Sequence, residues 1–296
     1  MYTSVSFPSE GADLRGRHYT HGDTGRPTVI MTHGTSATIT MGVDHYAEAL
    51  FEAGHDVLLY DHRNLGHSGG EPRQEINPWI QARGYRDAAR FLRRNRPDHP
   101  VILWGDSFSA GLVLVAAALI DNVAAVIAQI PVCGVAIPDT TFDETHFATL
   151  REIFNGGDVS GGPEQTTGPI PVVSADQLNT PSLLTPIQAF RWFIEYGGRH
   201  GSGWENRATR VIPDTPVPCI PFVTATRLTM PVQMMIGRDD EMVHCNPAAQ
   251  RAVFDLIPGE KEFIEIPGGH FGLLWHGSDE FNMAVKAQTA FLNRVL

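Results

Sequence analysis

Cysteine is scarce: Cys133, Cys219 and Cys245 are the three in 296 residues, odd in number and widely spaced. That excludes a disulfide framework and reads as reduced thiols. No apolar run approaches the roughly 20 residues that a membrane helix needs. The opening Met-Tyr-Thr-Ser-Val-Ser-Phe-Pro lacks the basic and apolar segments of a secretory leader. A cytoplasmic protein that does not engage membranes is expected. Positive charge is also short, with 22 Lys and Arg against 33 Asp and Glu for a net charge of −11, and no basic cluster beyond Arg93-Arg94. Nucleic acid and anionic membranes are therefore poor partners. There is no internal repeat and no low-complexity tract. What is present is 42 % hydrophobic residues over a length that suits one large domain with an insertion.

Apolar runs with strand character fall near 2–7, 13–19, 27–32, 56–60, 100–104, 124–130, 231–236 and 261–266. After the first two they alternate with helical patterns near 43–54, 82–95, 108–121, 246–256 and 279–295. Such alternation predicts an α/β fold, a mostly parallel eight-stranded sheet with helices on both faces. The first two runs read as an antiparallel hairpin.

The run Val-Ile-Leu-Trp ends in Gly105-Asp106-Ser107-Phe108-Ser109 and resumes as the apolar helix pattern from Leu112 to Ile120. A strand, a tight turn carrying a serine, and a helix give a weak nucleophile the exposed perch it needs. Gly105 and Ser109, two positions either side, are small enough for strand and helix to cross closely. Downstream, the strand near 231–236 leads into Gly237-Arg238-Asp239-Asp240-Glu241-Met242-Val243. The strand near 261–266 leads into Pro267-Gly268-Gly269-His270-Phe271. Two strand-then-loop units thus deliver an acid and a histidine after the serine.

In these motifs the chain resembles the α/β-hydrolase superfamily, and the resemblance covers nearly its whole length. It implies a Ser107-His270-Asp240 triad, Asp240 matching Gly-x-x-Asp-x-x-Val with Asp239 as the neighbouring alternative. It also implies an oxyanion hole from the backbone N–H of Phe108 and of Thr35, in Thr32-His33-Gly34-Thr35-Ser36, with Ser36 as the fallback. His33 reads as a structural member of that loop. Asp61-His62-Arg63-Asn64-Leu65-Gly66-His67-Ser68 resembles the family's Asp-x-Arg-Gly-x-Gly-x-Ser loop, Asn64 replacing a glycine at a position asparagine can tolerate. Asp106, one residue before the serine, is expected to point elsewhere. No histidine pair has ligand spacing supported by a third ligand, so no metal and no cofactor are expected. Details such as Gly-Asp-Ser-Phe-Ser and Trp204-Glu205-Asn206-Arg207 look like the dienelactone hydrolase and prolyl dipeptidyl-peptidase-like esterase branch. That branch includes enzymes that hydrolyse or transfer acyl groups in polyketide pathways.

Residues 135–228, Pro- and Gly-rich with helical patches near 142–154 and 187–196, are too long for a crossover between the sixth and seventh strands. The expected organisation is a hydrolase core, 1–134 and 229–296, with a 135–228 cap over the site. Among the cap aromatics, Phe142, Phe190, Trp192 and Trp204 are candidate pocket residues for a small-molecule acyl substrate. Three readings follow: a serine hydrolase cleaving an ester, lactone or thioester; an acyltransferase or carbon-carbon bond hydrolase with the same triad; and a non-catalytic binding module on a hydrolase scaffold. A homodimer is compatible with the sequence.

Overall fold

The computed structural model describes residues 1–22, 25–156 and 163–296; residues 157–162 of the expected cap lie outside them. In chain order the elements begin with β1 (Thr3–Ser9), β2 (Ala12–Tyr19), β3 (Thr28–Thr32), α1 (Val43–Glu52), β4 (Asp56–Tyr60) and β5 (Glu75–Ile76). Next come α2 (Pro78–Leu92), β6 (Val101–Asp106), α3 (Ser107–Ala116) and β7 (Val123–Gln129). The insertion carries α4 (Glu144–Gly156), β8 (Pro163–Ile170), α5 (Ile187–Gly197), β9 (Ala208–Pro213) and α6 (Pro221–Thr224). The chain closes with β10 (Val232–Gly237), α7 (Pro247–Leu256), β11 (Lys261–Ile266), α8 (His270–Leu274) and α9 (Asp279–Val295).

An eight-stranded sheet runs in the order β1-β2-β4-β3-β6-β7-β10-β11. The β1-β2 hairpin turns at Glu10 and Gly11 with φ of +47° and +75°, the primed-turn geometry whose twist matches that of the strands. β2 meets β4 antiparallel, and the remaining neighbours pair in parallel. Every residue of β3, β4 and β6 is buried, because helices cover both faces and leave the strands as continuous apolar runs. Period-two alternation sorts their side chains into two cores. Ile30, Leu58 and Leu103 pack towards α2, α3 and α7, while Val29, Val57 and Trp104 pack towards α1, α5 and α9.

Helix ends depart from the sequence pattern where polar caps decide them. α2 begins at Pro78 rather than near residue 82 because the Asn77 side chain accepts the Trp79 N–H at 3.1 Å. α3 ends at Ala116, short of the apolar pattern, which continues into turns.

The insertion between β7 and β10 holds more strand than the sequence suggested. β8 and β9 pair antiparallel, and β9 pairs in parallel with the two-residue β5, so the small sheet is shared with the core. The Thr209 N–H donates to the Gln74 carbonyl at 2.9 Å across that seam. A second fastening holds the C-terminus of α4. Arg83, buried in α2, donates to the carbonyls of Ile153 at 2.5 Å and Phe154 at 3.1 Å, and Arg86 to that of Phe154 at 3.0 Å. These are last-turn carbonyls that the helix itself cannot satisfy. Among the described residues no helix is long and apolar enough to cross a membrane.

Candidate active site

Ser107 follows directly on β6 and has φ of +53°. A non-glycine residue in that region costs on the order of 1–3 kcal/mol, which the surrounding strand and helix must supply. The sharp turn is possible because Gly105 has no side chain: an added Cβ would overlap the Ser109 carbonyl. Gly111 is needed on the next turn, where a Cβ would press on the Val132 carbonyl. Ser109 itself is used. Its hydroxyl donates to the His33 carbonyl at 2.5 Å and lies 2.8 Å from His62 Nε2, tying the serine turn to the loops after β3 and β4.

Phe108 stands in the first turn of α3, where an N–H has no intrahelical acceptor. Thr35 lines the same cavity as Ser107, and Gly34 approaches so closely that a Cβ would come within 3.0 Å of Ser107 Cβ. The β3 loop is held from beneath by the β4 loop. Asp61 accepts the Ile39 N–H and the His67 N–H, each at 2.9 Å. Asn64 adopts φ of +73°, as its substitution for glycine requires. His33 is fully buried, its Nε2 accepting the His62 N–H at 3.2 Å, and burial lowers its pKa against the opposing field of Asp61. It braces the loop and does not face the cavity.

His270 is 2 % exposed and opens α8. Its Nδ1 lies 2.8 Å from Asp240 Oδ2. Of the two adjacent aspartates, Asp240 is the one brought to His270, and its other oxygen accepts the Met242 N–H at 2.8 Å. Sequence reasoning missed Glu241, whose carboxylate accepts the His270 N–H at 2.8 Å. Gly269 leaves room for that carboxylate, since a Cβ there would overlap it. The adjacency of three acids concealed this division of labour, in which Asp240 holds the ring and Glu241 the backbone.

Asp106 corrects an expectation. It lines the cavity instead of pointing away, 2 % exposed, with one carboxylate oxygen unpartnered among the described residues. Burial pushes its pKa up to about 7, partly opposed by the field of His270. As the last residue of β6 it faces the gap beside Gly34, where any side chain would crowd it at 3.3 Å.

Ser107 and His270 border one cavity of about 560 Å³, which continues from the strand ends to the insertion. Of the candidate pocket aromatics, Trp192 lines it. Phe142, Phe190 and Trp204 do not. Phe142 packs on the core beside His146, Phe190 joins the packing under α5, and Trp204 fills the space left by Gly197. Their apolar character serves the insertion's own packing. Phe193, Leu183 and Val211 line the cavity instead.

The side chains of Asp240, Cys245 and His270 place ligand atoms within 4.8 Å of one another, a set that could hold a metal by proximity. The donor chemistry fits poorly. Cys245 is buried, burial and Asp240 raise its thiol pKa well above the ordinary value, and Sγ lies 3.5 Å from the Ile130 carbonyl. A ligating cysteine must be a thiolate. Burial likewise raises the thiols of Cys133 and Cys219, the latter to about 12.

Residues 23–165 match the family model described as serine aminopeptidase, S33. The chain is 30 % identical over 305 residues to a polyketide transferase of Aspergillus fumigatus, covering 99 % of this chain and 98 % of the relative. It is 29 % identical over 314 residues to a thiohydrolase of Aspergillus aculeatus, covering 100 % and 94 %. The crystal structure of the α/β hydrolase GrgF from a Penicillium species superposes with a TM-score of 0.70 at 24 % identity, over 99 % and 98 % of the two chains. With this fold, these strand-end loops and full-length relatives, the chain belongs to the α/β-hydrolase superfamily and is an enzyme of that class.

Proposed function

We propose that the protein cleaves a carboxylic ester, lactone or thioester through an acyl-enzyme on Ser107, with His270 as base and Asp240 as its orienting acid. The observation that carries this reading is His270, held by Asp240 at 2.8 Å, bordering the same cavity as a strained Ser107. Nδ1 donates to the Asp240 carboxylate and leaves Nε2 as the nitrogen that takes the proton. Nε2 takes the Ser107 proton as Oγ attacks the acyl carbon, and the electron pair of the carbonyl moves to its oxygen. The N–H groups of Thr35 and Phe108 are the donors for that oxyanion. Collapse expels the alcohol or thiol with the proton returned by His270. A second nucleophile, activated at Nε2 in turn, then releases the acyl group.

The second nucleophile decides between hydrolysis and transfer. Fold and triad are common to both, and access of water and acceptor sets the outcome. Full-length identity with a polyketide transferase supports an acceptor other than water, while the thiohydrolase relative supports water. Residues 135–228 are read as a cap that shapes the acyl-binding cavity over the 1–134 and 229–296 core, since β9 and α5 contribute to its wall. The test is turnover of an octanoyl thioester of N-acetylcysteamine with and without added hexanol. Release of thiol that disappears in Ser107→Ala is expected, with octanoic acid and hexyl octanoate reporting the two acceptors. Equal thiol release by the variant contradicts the reading.

A further inference from the structure

The cavity wall is mainly hydrocarbon, yet β9 sends an arginine to it. Arg210 lines the cavity beside Val211 and Ile212, on the strand that seams the insertion to the core. It is the one arginine or lysine on the wall among the described residues, and it makes no ion pair there. Asp214 borders the same space but does not pair with it. His244, just beyond the Asp240 loop, lines the same cavity, its pKa lowered by burial and then by the field of Arg210. The imidazole thus adds a hydrogen-bonding group to the wall that carries a permanent cation. A guanidinium offers five donors in a planar fork and is weakly hydrated, so it suits an oxyanion in a partly dry site.

We propose that Arg210, with His244 beside it, forms a subsite for an oxyanion, carboxylate or phosphate, carried by an otherwise apolar acyl substrate whose acyl carbon reaches Ser107. This rests on the reading of Ser107 as the acyl acceptor and specifies its substrate class: an amphiphile whose hydrocarbon lies along Val211 and Trp192 and whose charge is met at β9. Neutral acyl chains fill the same wall but leave the guanidinium to water.

The test separates the subsite from the chemistry by measuring binding to Ser107→Ala calorimetrically. Monomethyl suberate and dimethyl suberate have the same chain and differ by one carboxylate. The monoester is expected to bind at least tenfold more tightly. Arg210→Gln in that background should remove the difference while leaving the diester within twofold, and Arg210→Lys should restore part of it. Equal binding within both pairs, the two suberate esters and octanoyl-pantetheine with and without its 4′-phosphate, or a loss in Arg210→Gln that is the same for charged and neutral members, overturns the proposal. Octanoyl-pantetheine and its 4′-phosphorylated form locate the charge. An Arg210-dependent gain for the phosphorylated form places the oxyanion on the leaving group, and a gain for monomethyl suberate places it on the acyl chain. Dimethyl suberate turnover by the unmutated protein is read separately: its independence of Ser107 would overturn the catalytic reading and leave the binding result standing.

Discussion

The sheet and the insertion share two apolar cores, and polar clamps add to the hold on the insertion. β3, β4 and β6 are buried on both faces, and each places alternate apolar side chains into two cores. A fully buried aliphatic side chain contributes roughly 1.5–3 kcal/mol, so many small terms fix this region. The insertion packs into both cores, through Leu150, Phe154 and Phe222 on one side and Trp192, Phe193 and Tyr196 on the other, and is clamped in addition at polar points: Thr209 to Gln74, Arg83 and Arg86 to the end of α4, Thr38 to the Ser202 carbonyl at 2.8 Å, and Trp192 to the Leu274 carbonyl at 3.1 Å. The rigid sheet presents Ser107, Asp240 and His270 from its strand ends, whereas the clamped insertion supplies much of the wall that a substrate meets. Under the proposed mechanism chemistry falls on the strand ends and selectivity on the insertion, and substitutions should separate them.

The largest effect is expected on the sheet side. Ser107→Ala should lower thioester turnover by about 10⁶-fold, the size of nucleophile removal in subtilisin, with thermal stability maintained or raised because the strained residue loses only its hydroxyl. Asp240→Asn should cost about 10⁴-fold, as the equivalent change does in a serine protease, through loss of the tautomer that Nδ1 donation fixes. Asp239→Asn serves as its control; a collapse of kcat there with Asp240→Asn unaffected would reverse the assignment of the acid.

On the insertion side, Arg83→Met removes a buried guanidinium bonded to Glu10 and to two α4 carbonyls. About 2–4 kcal/mol of stability should be lost in denaturant titration, since carbonyls and a carboxylate lose charged donors. Protease cleavage should rise first within 135–228. Uniform loss of protection across the sheet would contradict the separate fastening of the insertion.

The smallest effect belongs to Asp106, where the two regions meet at the cavity. Its folded carboxyl titrates at about 7 against 3.8 for the free group, so between these values the folded state keeps a proton that the unfolded chain has released. Its contribution to stability is complete below about pH 4 and is lost as pH rises through 7. Asp106→Asn should therefore melt increasingly above the unmutated protein from pH 5 to pH 8. A Tm difference independent of pH would show that Asp106 is already ionised across that range.

This division also explains what was legible in the sequence. Runs such as Val-Ile-Leu-Trp announce strands because two-sided burial demands hydrocarbon, and β3, β4, β6, β7 and β10 can largely be read that way, whereas β1, β2 and β11 are partly exposed and mix in polar residues. The serine turn is readable because small Gly105 and Ser109 flank Ser107 at a spacing that backbone crowding enforces, a Cβ on Gly105 overlapping the Ser109 carbonyl. β8 and β9 escape notice because prolines and a glycine interrupt them and their pairing is with each other and with two residues of β5. Phe142, Phe190 and Trp204 mislead for a related reason: an aromatic in a small appended unit is needed for that unit's packing before it is available to a ligand. The loop motif already favours Asp240 over Asp239, but finding Glu241 and the place of Asp106 requires the loop geometry, since adjacent acids differ only in where the turn aims them.

The central claim is that Ser107 is an activated nucleophile, and labelling with a fluorophosphonate followed by peptide mass spectrometry tests it most directly. The account predicts a single phosphonyl adduct on Ser107, abolished in Ser107→Ala and strongly slowed in Asp240→Asn. A folded protein that takes no label, or a label that persists on another residue in Ser107→Ala, would contradict it.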